Sequence, residues 1–546
     1  MKPEKLNKPA KNVLPMILVI LDGWGMAEPS QGNAITLANT AVMDGLIKKF
    51  PNTLINASGK AVGLPPSQSG NSEAGHMNIG AGRIVEQDVV KISKSVNNGT
   101  FFKNAGFIEA IRQVKKNKSK LHLMGMISNG MSAHSDPDHL LALLSLVKIT
   151  KVKEVYLHLF TDGRDSPRYA SLKLVEDIQK VFKNGEAIAS VVGRYYAMDR
   201  KKTWSRTEKA YDALTSGLGR KAASPEAAIM ESYNRGESDE FIEPYVITRN
   251  GRPLPRIGNG DGVIFFNLRS DRARQFAKVF VQKDFDRLNP GSFLRKKVLK
   301  NLLFVAMTDF GPDLDGILTA YPSVDLKQTL PQALKGLSQL YIAESEKYAH
   351  VTYFFNGGYA DPIAREGRRL VPSPNVRSYD QTPTMSSAEL TEAVVNNLTP
   401  PHPLLKGEQG GYIGQKKGLD WKYDFTVLNF AAPDMVGHTG NLDAAIKCCH
   451  GVDKCLGEIV KAYLNVGGTV LATADHGNIE EMINLKTGEI NTEHSTNLVP
   501  FVLINKNLGH KVKLRNGGVL GDIAPTILEL LNIKKPKEMT GKNLIK

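Results

Sequence analysis

The segment Met16–Asp22, MILVILD, sets six apolar residues in an unbroken row and ends on an acid. Two later segments repeat the design: residues 425–434 read FTVLNFAAPD, and residues 469–476 read TVLATADH. A run without polar alternation marks a strand covered on both faces, as in parallel sheets flanked by helices. Ligands of such open sheets bind beyond the carboxyl ends of the strands. Asp22, Asp434 with His438 four residues on, and Asp475 with His476 therefore converge if the three strands share a sheet. One strand lies near the amino terminus and two near the carboxyl terminus, so everything between becomes an insertion. The expectation is a discontinuous first domain, residues 1–87 with 321–546, and a second domain, residues 88–320, threaded into it. Hinges are expected near Gln87 and Ala320.

The remaining chain supports an α/β protein built on largely parallel sheets. Further strand candidates are residues 120–128, 154–162, 188–193, 262–269, 301–309 and 350–356, the last reading HVTYFFN. Helical segments 171–184, 387–398 and 443–464 suit the crossovers between them. The stretch 398–418, LTPPHPLLKGEQGGYIGQKKG, is rich in Pro, Gly and Lys and reads as a loop or insertion.

With 546 residues, 41% hydrophobic and 23% charged, the chain is large enough for two domains and ordinary for a globular enzyme. Its net charge of +15 favours anionic partners. A nucleic-acid binder is disfavoured, because no basic helical stripe and no nucleic-acid motif is present. The three cysteines, Cys448, Cys449 and Cys455, share one helical segment, which excludes a disulfide framework and suggests a reducing compartment. With His450 beside them they still match no standard metal spacing. Lys2, Lys5, Lys8 and Lys11 before the apolar run resemble a signal peptide, but the run ends in DGWG without a small-residue cleavage site. No apolar run reaches the roughly 18 residues that span a membrane. A soluble, cytoplasmic protein is expected.

Asp22, Asp434, His438, Asp475, His476 and His494 form a set of oxygen and nitrogen donors without thiolate. Such a set suits divalent Mn, Zn, Mg or Co. Six ligands are too many for one tetrahedral ion and suit two, a pairing apt for phosphoryl transfer. Any one strand-end Asp could be a turn former and any one His a surface residue; together the motifs 433–440, PDMVGHTG, and 473–478, TADHGN, argue for a site. Ser72 lies in the stretch 68–83, QSGNSEAGHMNIGAGR, where glycines allow close backbone approach. A serine there is either a helix N-cap or a nucleophile activated by a metal, and the two are compatible. In the middle of the chain Arg164, Arg194, Arg200, Arg269 and Arg272 follow strand-like runs. Guanidinium forks match carboxylate and phosphate, so a pocket for a small polyanion is expected, with Asp165 accepting from a substrate hydroxyl.

At these residues the chain resembles the cofactor-independent phosphoglycerate mutases of the alkaline-phosphatase superfamily. The resemblance runs from LDGWG (21–25) through GNSEAGHMNIGAGR (70–83), DGRD (162–165), GRYYAMDR (193–200), FNLRSDRARQ (266–275) and SEKYAHVTYFFNGG (345–358). It continues through PDMVGHTG, TADHGN and TEHSTNLVPF (492–501) to LGDIAPTILELL (520–531). It implies an alkaline-phosphatase-like metal domain made from both chain ends, with a transferase domain inserted. It also implies one metal on Asp434, His438 and His494, and another on Asp22, Ser72, Asp475 and His476. Ser72 would become phosphoserine, and Lys347 would contact the phosphate. On the insert, His134, Arg164, Asp165, Arg194, Arg200, Arg269 and Arg272 would hold phosphoglycerate. Where the family reads SDGGVHSH, this chain reads SNGMSAHSD (128–136), with Asn129 for the aspartate and one residue added before His134.

The resemblance implies interconversion of 3-phosphoglycerate and 2-phosphoglycerate by a monomer with two divalent ions, Mn²⁺ first and Co²⁺, Mg²⁺ or Zn²⁺ as alternatives. No bisphosphoglycerate is needed, because glycerate stays bound while it reorients. Water must be kept from the phosphoserine, which gives the insert a reason to close over the metal domain. The alternative is a metal-dependent phosphatase of small phosphate monoesters, which needs the metal motifs but not the arginines.

Overall fold

The computed structural model describes residues 14–130, 132–311, 313–314, 316–323, 326–398, 422–507 and 512–546. The basic amino-terminal extension and the Pro/Gly/Lys-rich stretch from 399 onward lie outside the described residues. The chain divides into two compact units, one from Met1–Gln87 with Val324–Lys546 and one from Asp88–Ser323.

The first unit holds an eight-stranded sheet. Its order is Glu366–Val371, Gln339–Glu344, Phe425–Phe430, Met16–Leu21, Thr469–Thr473, Val499–Ile504, Asn52–Asn56 and Gly518–Val519. Met16–Leu21 lies parallel between Phe425–Phe430 and Thr469–Thr473, with Leu21 opposite Phe430 and Ile20 opposite Thr473. All three strands are fully buried, as runs without polar alternation require. Gln339–Glu344 extends the parallel set on the far side of Phe425–Phe430. Val499–Ile504 is antiparallel to both of its neighbours.

The second unit has its own sheet, ordered Ile317–Tyr321, Leu303–Thr308, Gly262–Phe265, Leu121–Met126, Val155–Thr161, Ala187–Gly193, Tyr245–Arg249 and Arg220–Ala222. It is parallel except where Tyr245–Arg249 runs against Ala187–Gly193. Leu121, Leu123, Leu157 and Leu159 enter one apolar layer, while Met124, Met126 and Phe160 enter the other. The boundary between the units falls at Ser323 and Val324, close to the Ala320 region where a hinge is expected. Ala320 is inside the strand Ile317–Tyr321, and its carbonyl accepts from Asn104 Nδ2 at 2.7 Å.

The strand expected over 350–356 is instead a helical turn, His350–Phe354. Its β-branched and aromatic residues carry strand propensity, but Val351, Thr352, Phe355 and Asn356 are the buried ones. That spacing belongs to one face of a helix. The strand Gln339–Glu344, which leads to Lys347, was not anticipated, because polar Gln339 and Glu344 bound its short apolar stretch.

A polar chain crosses the second sheet inside its core. His122 Nε2 meets Asp261 Oδ2 at 3.2 Å, His122 Nδ1 meets His158 Nε2 at 3.0 Å, and His158 Nδ1 meets Ser190 Oγ at 2.8 Å. Burial holds both imidazoles below the ordinary histidine range; Arg256 lowers both, while Asp261 partly opposes the shift at His122. The unfolded chain therefore binds protons near pH 6.5 that the folded chain refuses. Stability should rise with pH through that window and fall as the pH drops below it. Urea unfolding should show a lower midpoint at pH 5 than at pH 7.5, with a shallower dependence in His158→Gln. An equal pH slope in that variant would mean that His158 is not held neutral.

Candidate active site

The parallel strands deliver their following residues to one edge of the first sheet. Asp22 follows Leu21 directly, and its amide donates to Phe430 O at 3.1 Å. Asp434 lies in the first turn of the helix Ala432–Gly437, which leaves His438 at its end. Asp475 and His476 follow Thr473 by two and three residues. Ser72 opens the helix Ser72–Ala81, but the capping role falls to Asn71, whose side chain accepts from Ala74 N at 2.9 Å. Ser72 is thus the first helical residue, at the positive end of the helix, where an anion is favoured.

Ser72 Oγ accepts from Lys347 Nζ at 2.7 Å and lies 3.0 Å from His476 Nε2 and 3.2 Å from Asp22 Oδ1. Lys347 Nζ also reaches Asp22 Oδ1 and Asp434 Oδ2, each at 2.6 Å. Burial opposes charge on all three groups. The lysine nevertheless holds Asp22 and Asp434 well below the ordinary carboxylate range, and they hold its ammonium above its ordinary value. Burial likewise opposes charge on His476, but Asp475, Asp22 and Asp434 raise it to about 9.

The second imidazole pair has a different character. His438 Nδ1 and His494 Nδ1 each donate to a backbone carbonyl at 2.8 Å, of Thr492 and Gly70 respectively. Carbonyls only accept, so these nitrogens carry the protons. The two Nε2 atoms then face each other with lone pairs at 3.1 Å. Asp434 Oδ1 stands 3.4 Å from one and 3.1 Å from the other. Burial lowers His438 to about 4 against the pull of Asp434. Three unprotonated donors converging in this way fit a divalent cation, with the Nδ1 bonds fixing each ring. Asp434, His476 and His494 make one close group of donors, and Asp22, Asp475 and His476 another, so His476 belongs to both.

In the second unit, Arg194 is buried and binds Asp162 and, at 2.9 Å, Asp165 Oδ2. Asp165 Oδ2 also accepts from Ser132 Oγ at 2.7 Å. Burial resists charge on Asp165, yet Arg194 and His134 hold it well below the ordinary range. Asp271 accepts from Arg200 at 2.8 Å and lies 3.6 Å from Arg269 Nε and 4.0 Å from His134 Nδ1. Arg272 donates to Met198 O at 3.3 Å. Burial and the fields of Arg200, Arg194 and Arg164 push its guanidinium down to about 9, with Asp271 opposing. Arg164 is exposed at this rim. All seven residues expected from the insert therefore gather in one field with a cationic excess. His134 is buried despite the altered loop: its amide is held by Ser132 Oγ at 3.1 Å and its carbonyl by Leu268 N at 2.8 Å.

Several participants were not anticipated. Asp162 and Asp271 hold arginines, and their signal was present as acids inside the arginine motifs. Buried Glu480 accepts from Gly25 N at 3.0 Å, Asn478 N at 2.8 Å and Ser495 Oγ, tying three loops together. Asn478 Nδ2 donates to Asp434 Oδ1 at 2.9 Å. Asn429 contacts Asp22, and its signal was a lone amide within an apolar strand.

Known proteins are similar to this chain over nearly its full length. The 2,3-bisphosphoglycerate-independent phosphoglycerate mutase of Moorella thermoacetica is 46% identical over 536 residues, covering 97% of this chain and 98% of that protein. Enzyme 1 of that name from Methanosarcina acetivorans is 48% identical over 537 residues, covering 97% and 98%. The chain belongs to the 2,3-bisphosphoglycerate-independent phosphoglycerate mutases. The family model described as BPG-independent PGAM N-terminus matches residues 92–312, and that of the Metalloenzyme superfamily matches residues 415–535. A Leishmania mexicana phosphoglycerate mutase, solved at low cobalt concentration, superposes with a TM-score of 0.82 at 28% identity, covering 99% of each chain.

The helix that carries Ser72 owes its position to a glycine. A Cβ on Gly75 would stand 2.7 Å from both Cβ and the carbonyl oxygen of Asp475. Gly75→Ala should therefore push the Ser72 helix off the Asp475 segment and cost about 1–3 kcal/mol. Thermal unfolding should show a lowered Tm together with reduced turnover; an unchanged Tm would show that the helix shifts freely.

Proposed function

We propose that the chain interconverts 3-phosphoglycerate and 2-phosphoglycerate through a phosphoserine at Ser72. The observation that carries this is the setting of Ser72 Oγ: at a helix amino terminus, 2.7 Å from Lys347 Nζ, and beside two groups of metal donors. The two ions, Mn²⁺ first, would be held by Asp434, His438 and His494 and by Asp22, Ser72, Asp475 and His476. When bound, they lower the pKa of the serine hydroxyl and neutralise charge on the phosphoryl group. The cobalt named for the Leishmania mutase supports a divalent ion here.

Ser72 Oγ forms a bond to phosphorus as the bond from phosphorus to the glycerate oxygen breaks. Lys347 reaches Ser72 Oγ and balances charge on the phosphoryl oxygens. Arg164, Arg194, Arg200, Arg269 and Arg272 hold the carboxylate and phosphate of the substrate, and His134 lines the same field. Asp165, kept anionic by Arg194, accepts from the glycerate hydroxyl. Glycerate turns over while bound, and its other oxygen takes the phosphoryl group back, so Ser72 is restored and no bisphosphoglycerate is consumed. The phosphatase alternative is not favoured, because a hydrolase has no need of five arginines to retain its dephosphorylated product. Free cysteines, Cys448 and Cys449 buried and Cys455 partly so, fit a reducing cytoplasm, and no helix among the described residues is long and apolar enough to cross a membrane. We take the active form to be a monomer, on the family resemblance alone.

Phosphorus NMR of the chain with 3-phosphoglycerate and Mn²⁺ should show the 2-phospho isomer and little free phosphate, with nothing formed under a chelator. Ser72→Ala should abolish the conversion and leave the Tm near that of the unsubstituted chain. Free phosphate as the main product would make the chain a phosphatase, and retained conversion in Ser72→Ala would refute the phosphoserine.

A further inference from the structure

Behind the Ser72 cluster lies a buried pair of polar side chains that no step above uses. Asn429 comes from the middle strand Phe425–Phe430, and His76 sits one helical turn beyond Ser72. Both are fully buried. Asn429 Nδ2 donates to Asp22 Oδ2 at 2.7 Å and lies 3.1 Å from His76 Nε2. His76 Nδ1 lies 2.8 Å from the carbonyl oxygen of Ser72 and 3.2 Å from Asp475 Oδ2. The hydrogen bookkeeping has one solution. A carbonyl only accepts, so Nδ1 carries the ring proton; Nε2 accepts, and the Asn429 amide supplies both of its hydrogens, one to Asp22 and one to His76.

We infer that Asn429 and His76 form a positioning relay that fixes the orientation of the Asp22 carboxylate and the main chain of Ser72 as one unit. The inference rests on the site reading above. Asn429 occupies Asp22 Oδ2, so the other oxygen, Oδ1, is the one that faces Ser72 and Lys347. Asp22 thereby offers a single oxygen to a cation. At the far end, the His76 proton holds the first turn of the nucleophile helix and lies against Asp475, from the second strand edge. A shift of Asp22 is thus transmitted to the Ser72 carbonyl through Asn429 and His76. Neither Asn429 nor His76 touches substrate in this role; both act through the ligands, as partners of metal-binding carboxylates do.

The test is calorimetric titration of metal-stripped, full-length protein with Mn²⁺, alongside steady-state kinetics and thermal unfolding. Asn429→Leu keeps the branched skeleton and removes both donors. It should weaken Mn²⁺ binding by about 10- to 100-fold and lower kcat at saturating Mn²⁺, with KM for 3-phosphoglycerate unchanged. His76→Phe should do the same. His76→Asn, which returns a donor near the Nδ1 position, should recover part of the Mn²⁺ affinity. If Asn429→Leu does not fold, the two His76 variants carry the comparison. Wild-type Mn²⁺ affinity with only a lowered Tm in His76→Phe would overturn the relay and leave a purely structural pair. Absence of Mn²⁺ binding in the unsubstituted chain would instead overturn the site reading, and the relay with it.

Discussion

Asp22, Asp434 and Asp475 are buried at neighbouring strand ends, and their charges repel. Burying carboxylates is costly unless cations and hydrogen bonds answer them. Lys347 answers two of them directly, at 2.6 Å each, and the same ammonium reaches Ser72. Much of the first unit serves this balance. The strand Gln339–Glu344 exists beside Phe425–Phe430 to bring Lys347 to the edge, and the turn after it packs Val351 and Phe355 beneath. Gly75 and the hydrogen bonds of Glu480 close the loops over the same charges.

The balance in the second unit has the opposite sign. Arginines outnumber the acids that face them, and the depressed Arg272 is the clearest mark of it. Asp162, Asp165 and Asp271 space the guanidiniums without cancelling them. An anionic substrate with both carboxylate and phosphate relieves such an excess. In the proposed reaction the two units divide the chemistry: one would prepare the serine and hold the cations, and the other would retain the small acid that a hydrolase releases.

Much of this was legible in the chain. The mostly apolar runs at 16–21, 425–430 and 469–473 announced buried parallel strands, and the structure brings the acids that follow them to one sheet edge. The arginine motifs, read with Asp165, indicated a polyanion pocket. Misreadings came where composition and environment disagree. HVTYFFN has the residues of a strand and the burial of a helix, because packing over Tyr341 favoured a turn. Of the two roles open to Ser72, helix cap and nucleophile, the cap falls to Asn71, since Asn and Ser suit the same geometry and only the observed Ala74 bond separates them.

By itself the sequence determined the fold class, the nesting of one domain in the other and which residue types could serve as donors. Those follow from hydrophobic period and side-chain chemistry, which are properties of residues and their near neighbours. Tertiary structure decided which oxygen of Asp22 faces the serine, which imidazole nitrogen carries a proton, and that Asn429 and His76 join the site. Those outcomes depend on groups far apart in the chain, such as Asp22 and Lys347, which are 325 residues apart. A hydrogen bond is fixed to within tenths of an ångström and a few tens of degrees. No local pattern encodes a distance of that kind; it emerges when the strands that carry the partners pack in register.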